Sequence, residues 1–280
     1  MKVMIAGCGF VGEPLRQRLQ AVGHEVVGLT LSGAPDIEAC DISSLDDVEA
    51  LAGRVGGFDA IVHCAASGRG AGDRAERYRA VYLEGSQNLL TVFPSASLLF
   101  TSSTSVYAQT DGGLVDECSP AEPSAETGKI LRESEELALE LGGTVVRLAG
   151  IYGPGRSFLL KRFLEGEAQI DGRWLNQIHR DDAASAIAFL LERPGDADGV
   201  FNVADDTPLW QLDCYTELAK RFDRPMPPEG TPDPDRKRGW TNKRVSNEKL
   251  RALGWKPTFP NYYAALDEDP DLIPSILETL

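Results

Sequence analysis

Six residues near the amino terminus constrain this chain more than any others. Gly7-Cys8-Gly9-Phe10-Val11-Gly12 is a G-x-G-x-x-G loop that follows the apolar run Val3-Met4-Ile5-Ala6 and precedes apolar residues at Val11, Leu15, Leu19 and Val22. The run reads as a buried strand, and the spacing after it reads as one face of a helix. Pro14 falls in the first turn, where its missing amide costs nothing, and Gly23 closes the helix. A glycine loop joining a strand to a helix is the setting that gives this motif a ligand: a dinucleotide. Gly7 allows the tight turn, Gly9 lets a pyrophosphate approach the backbone, and Gly12 lets the helix pack against the strand. With Phe10 and Val11, they present free amides and the positive end of the helix to phosphates. The bland alternative is a tight turn that holds nothing.

The alternation that begins there continues. Strand-like segments at 25–29, 60–65, 98–100, 144–148 and 200–203 are apolar throughout, and helical patterns at 44–55, 78–92, 129–141 and 182–191 lie among them. Ser44 reads as the cap of the first of these helices, and Asp181 and Asp182 as caps of the last. Strands alternating with helices imply parallel pairing, and continuous apolar strands imply a sheet covered on both faces. The expected fold class is α/β, a Rossmann-type doubly wound parallel sheet with a small C-terminal substrate lobe. The expected division is a dinucleotide-binding core over 1–160, completed by 175–206, with a smaller lobe from 161–174 and 207–280. In that lobe 207–222 reads as an amphipathic helix, Pro225 to Pro234 as an extended linker or lid, and Ser246 as the cap of a helix ending at Gly254.

The end of the second strand bears on which dinucleotide binds. An NAD enzyme places an acid about 20 residues after the loop for the ribose hydroxyls, and an NADP enzyme supplies arginine. Here the strand ends in Thr30-Leu31-Ser32, with neither, and Asp36 comes several residues too late. The missing acid tilts the reading from NAD slightly toward NADP. The formal charge of −15 repels phosphate backbones and anionic lipids, so neither nucleic acid nor membrane is an expected partner. No apolar run approaches the ~18 residues that span a bilayer, and no signal-peptide pattern opens the chain, so a cytoplasmic location is expected. The five cysteines are scattered with no C-x-x-C pair, which suits a reducing compartment, and no metal is expected.

Further along, several segments together resemble the extended short-chain dehydrogenase/reductase family, the NAD-dependent epimerase/dehydratase group. Asp41-Ile42 resembles the adenine-contacting acid and its neighbour. Cys64-Ala65-Ala66 resembles the strand end that touches the cofactor. Thr101-Ser102-Ser103-Thr104-Ser105-Val106-Tyr107 resembles the S-S-x-x-V-Y segment. Arg147 with Ile151-Tyr152-Gly153-Pro154 resembles R-x-x-x-x-Y-G-P, and Ile178-His179-Arg180-Asp181-Asp182 resembles I-H-x-D-D. The resemblance implies an NAD(P)-binding oxidoreductase or epimerase-like enzyme acting on a small polar metabolite. It also implies a homodimer built from the helices that contain Tyr78 and Lys129.

The chain departs from that pattern where the chemistry is done. The family's Tyr-x-x-x-Lys pair matches Ala125-Glu126-Thr127-Gly128-Lys129, so lysine is present and the proton-transferring tyrosine is not. Tyr82 stands where the family has asparagine. With Asn176 to Asp182 and Asn242 to Asn247, these departures resemble an atypical, YeeZ-like subgroup that binds NAD(P) without the usual tetrad. The catalytic candidates are Ser103, matching the family's Ser/Thr, and Lys129, expected on the cofactor ribose; Tyr107 and Tyr152 are the nearest phenols. Substrate candidates are Ser103, Tyr152, Asn176, His179 and the cationic pair Lys243-Arg244, set against a capping role for Ser103, a structural one for His179 and a surface pair for the cations. The expected cofactor contacts are Gly7, Gly9, Phe10, Val11, Gly12, Thr30, Asp41, Ile42, Cys64, Ala65, Ala66, Ser102, Lys129 and Ile151. The alternative is a non-catalytic NAD(P)-binding sensor or regulatory protein, favoured by Ala125.

Overall fold

The computed structural model of the protein describes residues 1–68, 72–193, 195, 199–232 and 240–280. The apolar runs build one parallel sheet. Its strands are β1 (Lys2–Ala6), β2 (Glu25–Thr30), β3 (Ile37–Ala39), β4 (Ala60–His63), β5 (Ser97–Ser103), β6 (Thr144–Leu148) and β7 (Gly199–Val203). They lie in the order β7-β6-β5-β4-β1-β2-β3, every neighbour parallel. The order reverses between β1 and β4, and in open α/β sheets the crevice outside the strand ends at that reversal is where ligands sit. The short β3 has no apolar run to announce it. It forms because the backbone of Ala34 and Ile37 exchanges two hydrogen bonds around a turn that holds Asp36 at φ +61°.

The covering helices are α1 (Gly12–Ala21), α2 (Leu45–Val55), α3 (Glu126–Glu140) and α4 (Arg180–Leu191), followed by α5 (Gln211–Phe222). Ser44 caps α2, its hydroxyl accepting from the Asp47 amide. Helix α3 begins before the reach of its apolar pattern, at Glu126. Helix α4 begins at Arg180, and its cap is His179 rather than Asp181 or Asp182. Asp182 is instead buried, its carboxylate accepting the amides of Thr258 and Phe259 at 2.7 and 3.0 Å. The helix expected over 207–222 is shorter by four residues, because Leu209–Trp210 pairs as a strand with Trp174–Leu175. Between α2 and β5 the helical segments Arg74–Tyr78 and Gly85–Val92 are joined by a π-helical stretch, Arg79–Glu84. Such bulges free a backbone carbonyl, and here the Val81 carbonyl bonds the ring of buried His63 at 3.0 Å.

Two apolar cores result. The larger covers both faces of the sheet and takes in Val245, Leu250 and Trp255 from the C-terminal stretch. The smaller gathers Tyr152, Leu160, Phe163, Leu218, Tyr262, Leu272 and Ile276. The Pro225–Pro228 part of the proline-rich stretch has no regular structure apart from its Pro228 carbonyl, which accepts the Ile170 amide; Pro234 lies outside the described residues.

Candidate cofactor and substrate site

The glycine loop has the geometry its spacing implies. Gly7 adopts φ +98°, and an added Cβ would lie 2.3 Å from the Ala65 amide nitrogen, so this turn abuts the end of β4. A Cβ on Gly12 would lie 2.3 Å from the Gly7 carbonyl oxygen. Gly9 differs: nothing lies within 4 Å of where its Cβ would be. The Leu29 carbonyl accepts both the Gly7 and Cys8 amides, pinning the loop to β2. Among the described residues, the amides of Phe10, Val11 and Gly12 have no backbone acceptor, which leaves the mouth of α1 with unused donors. Phe10 lies between two cations, with the guanidinium of Arg156 4.9 Å and that of Arg180 5.4 Å from its ring centroid.

The first turn of α1 carries its own ion pair. Glu13 takes a bidentate bond from Arg16 at 2.7 Å and another bond from Gln17, which holds its carboxyl down at about 2. Burial, with that carboxylate beside it, pushes the Cys8 thiol up to about 12, so Cys8 packs as a small hydrophobe. Cys64 is likewise pushed up to about 12 by burial.

Around the reversal point the other expected cofactor contacts follow from topology. The loop leaves the C-terminal end of β1, Cys64, Ala65 and Ala66 leave β4, Ser102 and Ser103 end β5, and Ile151 follows β6, so all gather at one edge of the sheet. Thr30 closes β2 at the same edge. Asp41 spends one carboxylate oxygen on the amide and hydroxyl of Ser43, and Ile42 is buried against Gly85.

The catalytic candidates divide. Ser103 is buried at the end of β5, its hydroxyl accepting the Ser105 amide as the cap of a short 3-10 turn. Lys129 is 55% exposed on the first turn of α3, 3.4 Å from Glu126. Ala125, at the vacant tyrosine position, is the residue from which α3 starts. Both candidate phenols are buried. The Tyr107 hydroxyl donates to Asn202 Oδ1 at 2.9 Å and accepts from Arg147 at 2.8 Å. Tyr152 is buried edge-on against His179 and Tyr262; burial, with Asp205 nearby, raises its pKa far above the ordinary value, so it stays protonated.

His179 is fully buried. Its Nδ1 accepts the Asp181 amide at 3.2 Å, so the proton sits on Nε2 and is donated to Asp269 at 3.0 Å. Both ring nitrogens are thereby used within the fold. Asn176 is engaged at both ends of its amide: its Nδ2 donates to the Lys243 carbonyl at 2.9 Å, and its Oδ1 accepts the Val245 amide at 2.7 Å. Arg244 donates to the Gly112 carbonyl at 3.1 Å and lies over Trp174.

Spacing gave no warning of one feature. Glu135, buried in α3, accepts from Ser102, Arg132 and Arg147, and Arg147 continues to Tyr107, Asn202 and, through the Asn202 amide, Glu117. This chain ties α3 to β5, β6 and β7. It gives the hydroxyl of Ser102 a structural partner, while leaving its backbone at the sheet edge. Arginine and glutamate twelve residues apart carry no local signature, so only the folded chain brings the pair into view.

Comparison with known proteins matches this architecture. The model of the NAD dependent epimerase/dehydratase family covers residues 3–204. Protein YeeZ of Escherichia coli (strain K12) is 32% identical over 212 residues, spanning 69% of this chain and 74% of that protein. A 3-diazoavenalumate denitrifying reductase from a Streptomyces species is 28% identical over 307 residues, spanning 96% of this chain and 100% of that protein. A solved structure from Methylobacillus flagellatus, described as a candidate NAD-dependent epimerase/dehydratase, superposes with a TM-score of 0.81 at 30% identity, covering 99% of this chain and 98% of that one. Glycine loop, serine-rich strand end and sheet order occur together over most of the chain, which belongs to the NAD-dependent epimerase/dehydratase family of extended short-chain dehydrogenase/reductases and is similar to YeeZ within it.

Proposed function

We propose that this protein binds NADP(H), with NAD(H) as the weaker alternative, across the sheet edge, and uses it in an oxidoreductase or epimerase-like reaction on a small polar metabolite. The observation that carries this reading is the loop at the mouth of α1, with three amides lacking backbone acceptors beside the open space over Gly9. The cofactor, when bound, supplies a hydride donor or acceptor. Phe10, Val11 and Gly12 would hold the pyrophosphate by their amides, and Lys129, exposed on the first turn of α3, would swing from Glu126 to the nicotinamide ribose. Ser103 would offer its hydroxyl to the reacting oxygen. The preference for NADP(H) rests on the absence of an acid at the end of β2, where Leu31 and Ser32 follow Thr30. The reductase name of the Streptomyces relative supports hydride chemistry.

A second reading has its own observation in favour. No phenol occupies the Ala125 position, and the two nearest by motif are buried, Tyr107 with its hydroxyl bonded to Asn202 and Arg147, so a protein that binds NAD(P) without turnover, as a sensor, fits the same geometry. Titration with NADPH and separately NADH, followed by nicotinamide fluorescence, tests the shared premise: saturable binding with NADPH tighter is expected, and no binding of either removes both readings. Loss of label from a deuterated nicotinamide in a panel of keto acids and sugar nucleotides then separates them. Exchange supports the enzyme, and tight binding with none supports the sensor.

A further inference from the structure

Lys243 is buried without a counter-charge. It is 4% exposed, its Nζ donates to the Thr241 hydroxyl at 2.9 Å, and no carboxylate of the described residues pairs with it. Burial, with the Arg173 guanidinium adding to it, pulls its pKa down to about 8. At neutral pH the charged form therefore still predominates by about tenfold. An ammonium taken out of water without a partner costs several kcal/mol, and such groups are paired, neutralised or kept for a ligand.

The surrounding chain holds this cation in place. The Asn242 amide donates to the Gln109 carbonyl, the Asn242 carbonyl accepts the Gly112 amide at 2.9 Å, and Arg244 donates its amide to Gly113. On the other side, the Asn176 amide group brackets the backbone at Lys243 and Val245. Asn242 Oδ1 accepts the Trp174 amide, and Trp174 meets Trp210 edge-on at 5.5 Å. The backbone on both sides of Lys243 is thus fixed between a loop following β5 and the paired strands of the smaller lobe, and two of the three Nζ protons have no acceptor among the described residues. Arg173, 3.2 Å from Asp171, adds a second cation to the same neighbourhood.

We propose that Lys243, with Arg173 beside it, is the docking point for an oxyanion of the substrate, a carboxylate or a phosphate. This rests on the reading that the chain acts on a small polar metabolite, and it narrows that metabolite to an anion. A lysine presents a point charge to either group, and in a protein of net charge −15 a buried cation with no carboxylate paired to it among the described residues is a selective feature. Arg244 lies outside this site, held over Trp174 by its bond to Gly112.

The test uses full-length protein saturated with whichever nicotinamide cofactor binds, so that the glycine loop is filled. Inorganic phosphate and acetate are titrated separately at constant ionic strength, with tryptophan emission as the readout. Saturable binding of at least one anion is expected, the tighter one naming the group, and Lys243→Met is expected to weaken it at least about tenfold while Lys243→Arg retains it. Acetate affinity in the wild type should also fall as pH rises through about 8, a readout that needs no variant. Saturation by neither anion, or unchanged affinity in a folded Lys243→Met protein, overturns the proposal. The cofactor titration is read at nicotinamide emission and stands apart from it, so failure at Lys243 leaves the cofactor reading intact. If neither cofactor binds, the same anion titrations on the free protein decide the Lys243 question alone.

Discussion

Gly9→Ala separates the ligand role of the glycine loop from its structural one. An added methyl at Gly7 or Gly12 would come to 2.3 Å from main-chain atoms, whereas at Gly9 it meets nothing within 4 Å. Gly9 is also absent from the positive-φ residues, so alanine adopts its backbone conformation without strain. Replacing such a glycine stabilises by about 0.4–1 kcal/mol through the unfolded chain, which for a protein of this size raises Tm by roughly 1–4 °C. A pyrophosphate resting on the Gly9 backbone would meet the new methyl directly. Overpacking of that kind costs about 1–3 kcal/mol, which is roughly a five- to 150-fold loss of affinity. Differential scanning fluorimetry of the free protein and nicotinamide fluorescence titration give the two numbers. The expected result is a protein as stable as wild type or slightly more so, with cofactor affinity reduced by that factor. A Gly9→Ala protein that binds NADPH or NADH as tightly as wild type would refute the assignment of this space to the pyrophosphate.

Three further outcomes follow from buried groups. Glu135→Gln strands the Arg147 cation, which is 3% exposed, and is expected to cost about 3–5 kcal/mol in chemical denaturation; a loss below about 1 kcal/mol would mean that the pair is not holding α3 to the sheet. Burial keeps His63 neutral with its pKa down at about 4 against an ordinary 6.5. The unfolded chain binds that proton first, so stability is full above pH 6.5 and falls by up to about 3 kcal/mol as pH drops toward 4; Tm measured across that range in wild type and His63→Gln should show a shallower decline in the variant. Asp182→Ala leaves the amides of Thr258 and Phe259 without their acceptor. It is expected to cost about 2–5 kcal/mol and to speed amide hydrogen exchange locally at 258–266.

The parts of the fold that were legible are those where sequence neighbours settle the structure. The glycine loop, the strands as apolar runs, and the Ser44 cap all depend on residues within one turn of each other. The vacancy at Ala125 was also visible, because a tyrosine and lysine four residues apart on one helix form a local pattern. What escaped depends on partners that only folding brings together. Asp182 looked like a helix cap because nothing at 182 announces the amides at 258 and 259 that claim its carboxylate. Histidine is not a residue one expects as a cap, yet the His179 ring accepts the amide that Asp181 was expected to serve. The buried state of Lys243 was equally hidden: in sequence it is one of two adjacent cations, and the fold turns Lys243 inward and Arg244 outward.

The two apolar cores are threaded by one chain that passes repeatedly between them. Tyr152 to Ala168 lies in the smaller core, Ile178 to Ala204 returns to the larger, Cys214 to Leu218 goes back, Val245 to Trp255 returns again, and Tyr262 to Ile276 finishes in the smaller. No single cut can therefore release either core as a fragment. A protease nick at 225–228 would leave most of the larger core in the first piece, but Val245, Leu250 and Trp255 of that core and Tyr262 to Ile276 of the smaller would go with the second, so the pieces would stay clasped until denaturant separates them. Assembly has the same character: the smaller core closes only when stretches about a hundred residues apart have met, and the larger only when its first strand has met Val245 to Trp255 near the other end of the chain.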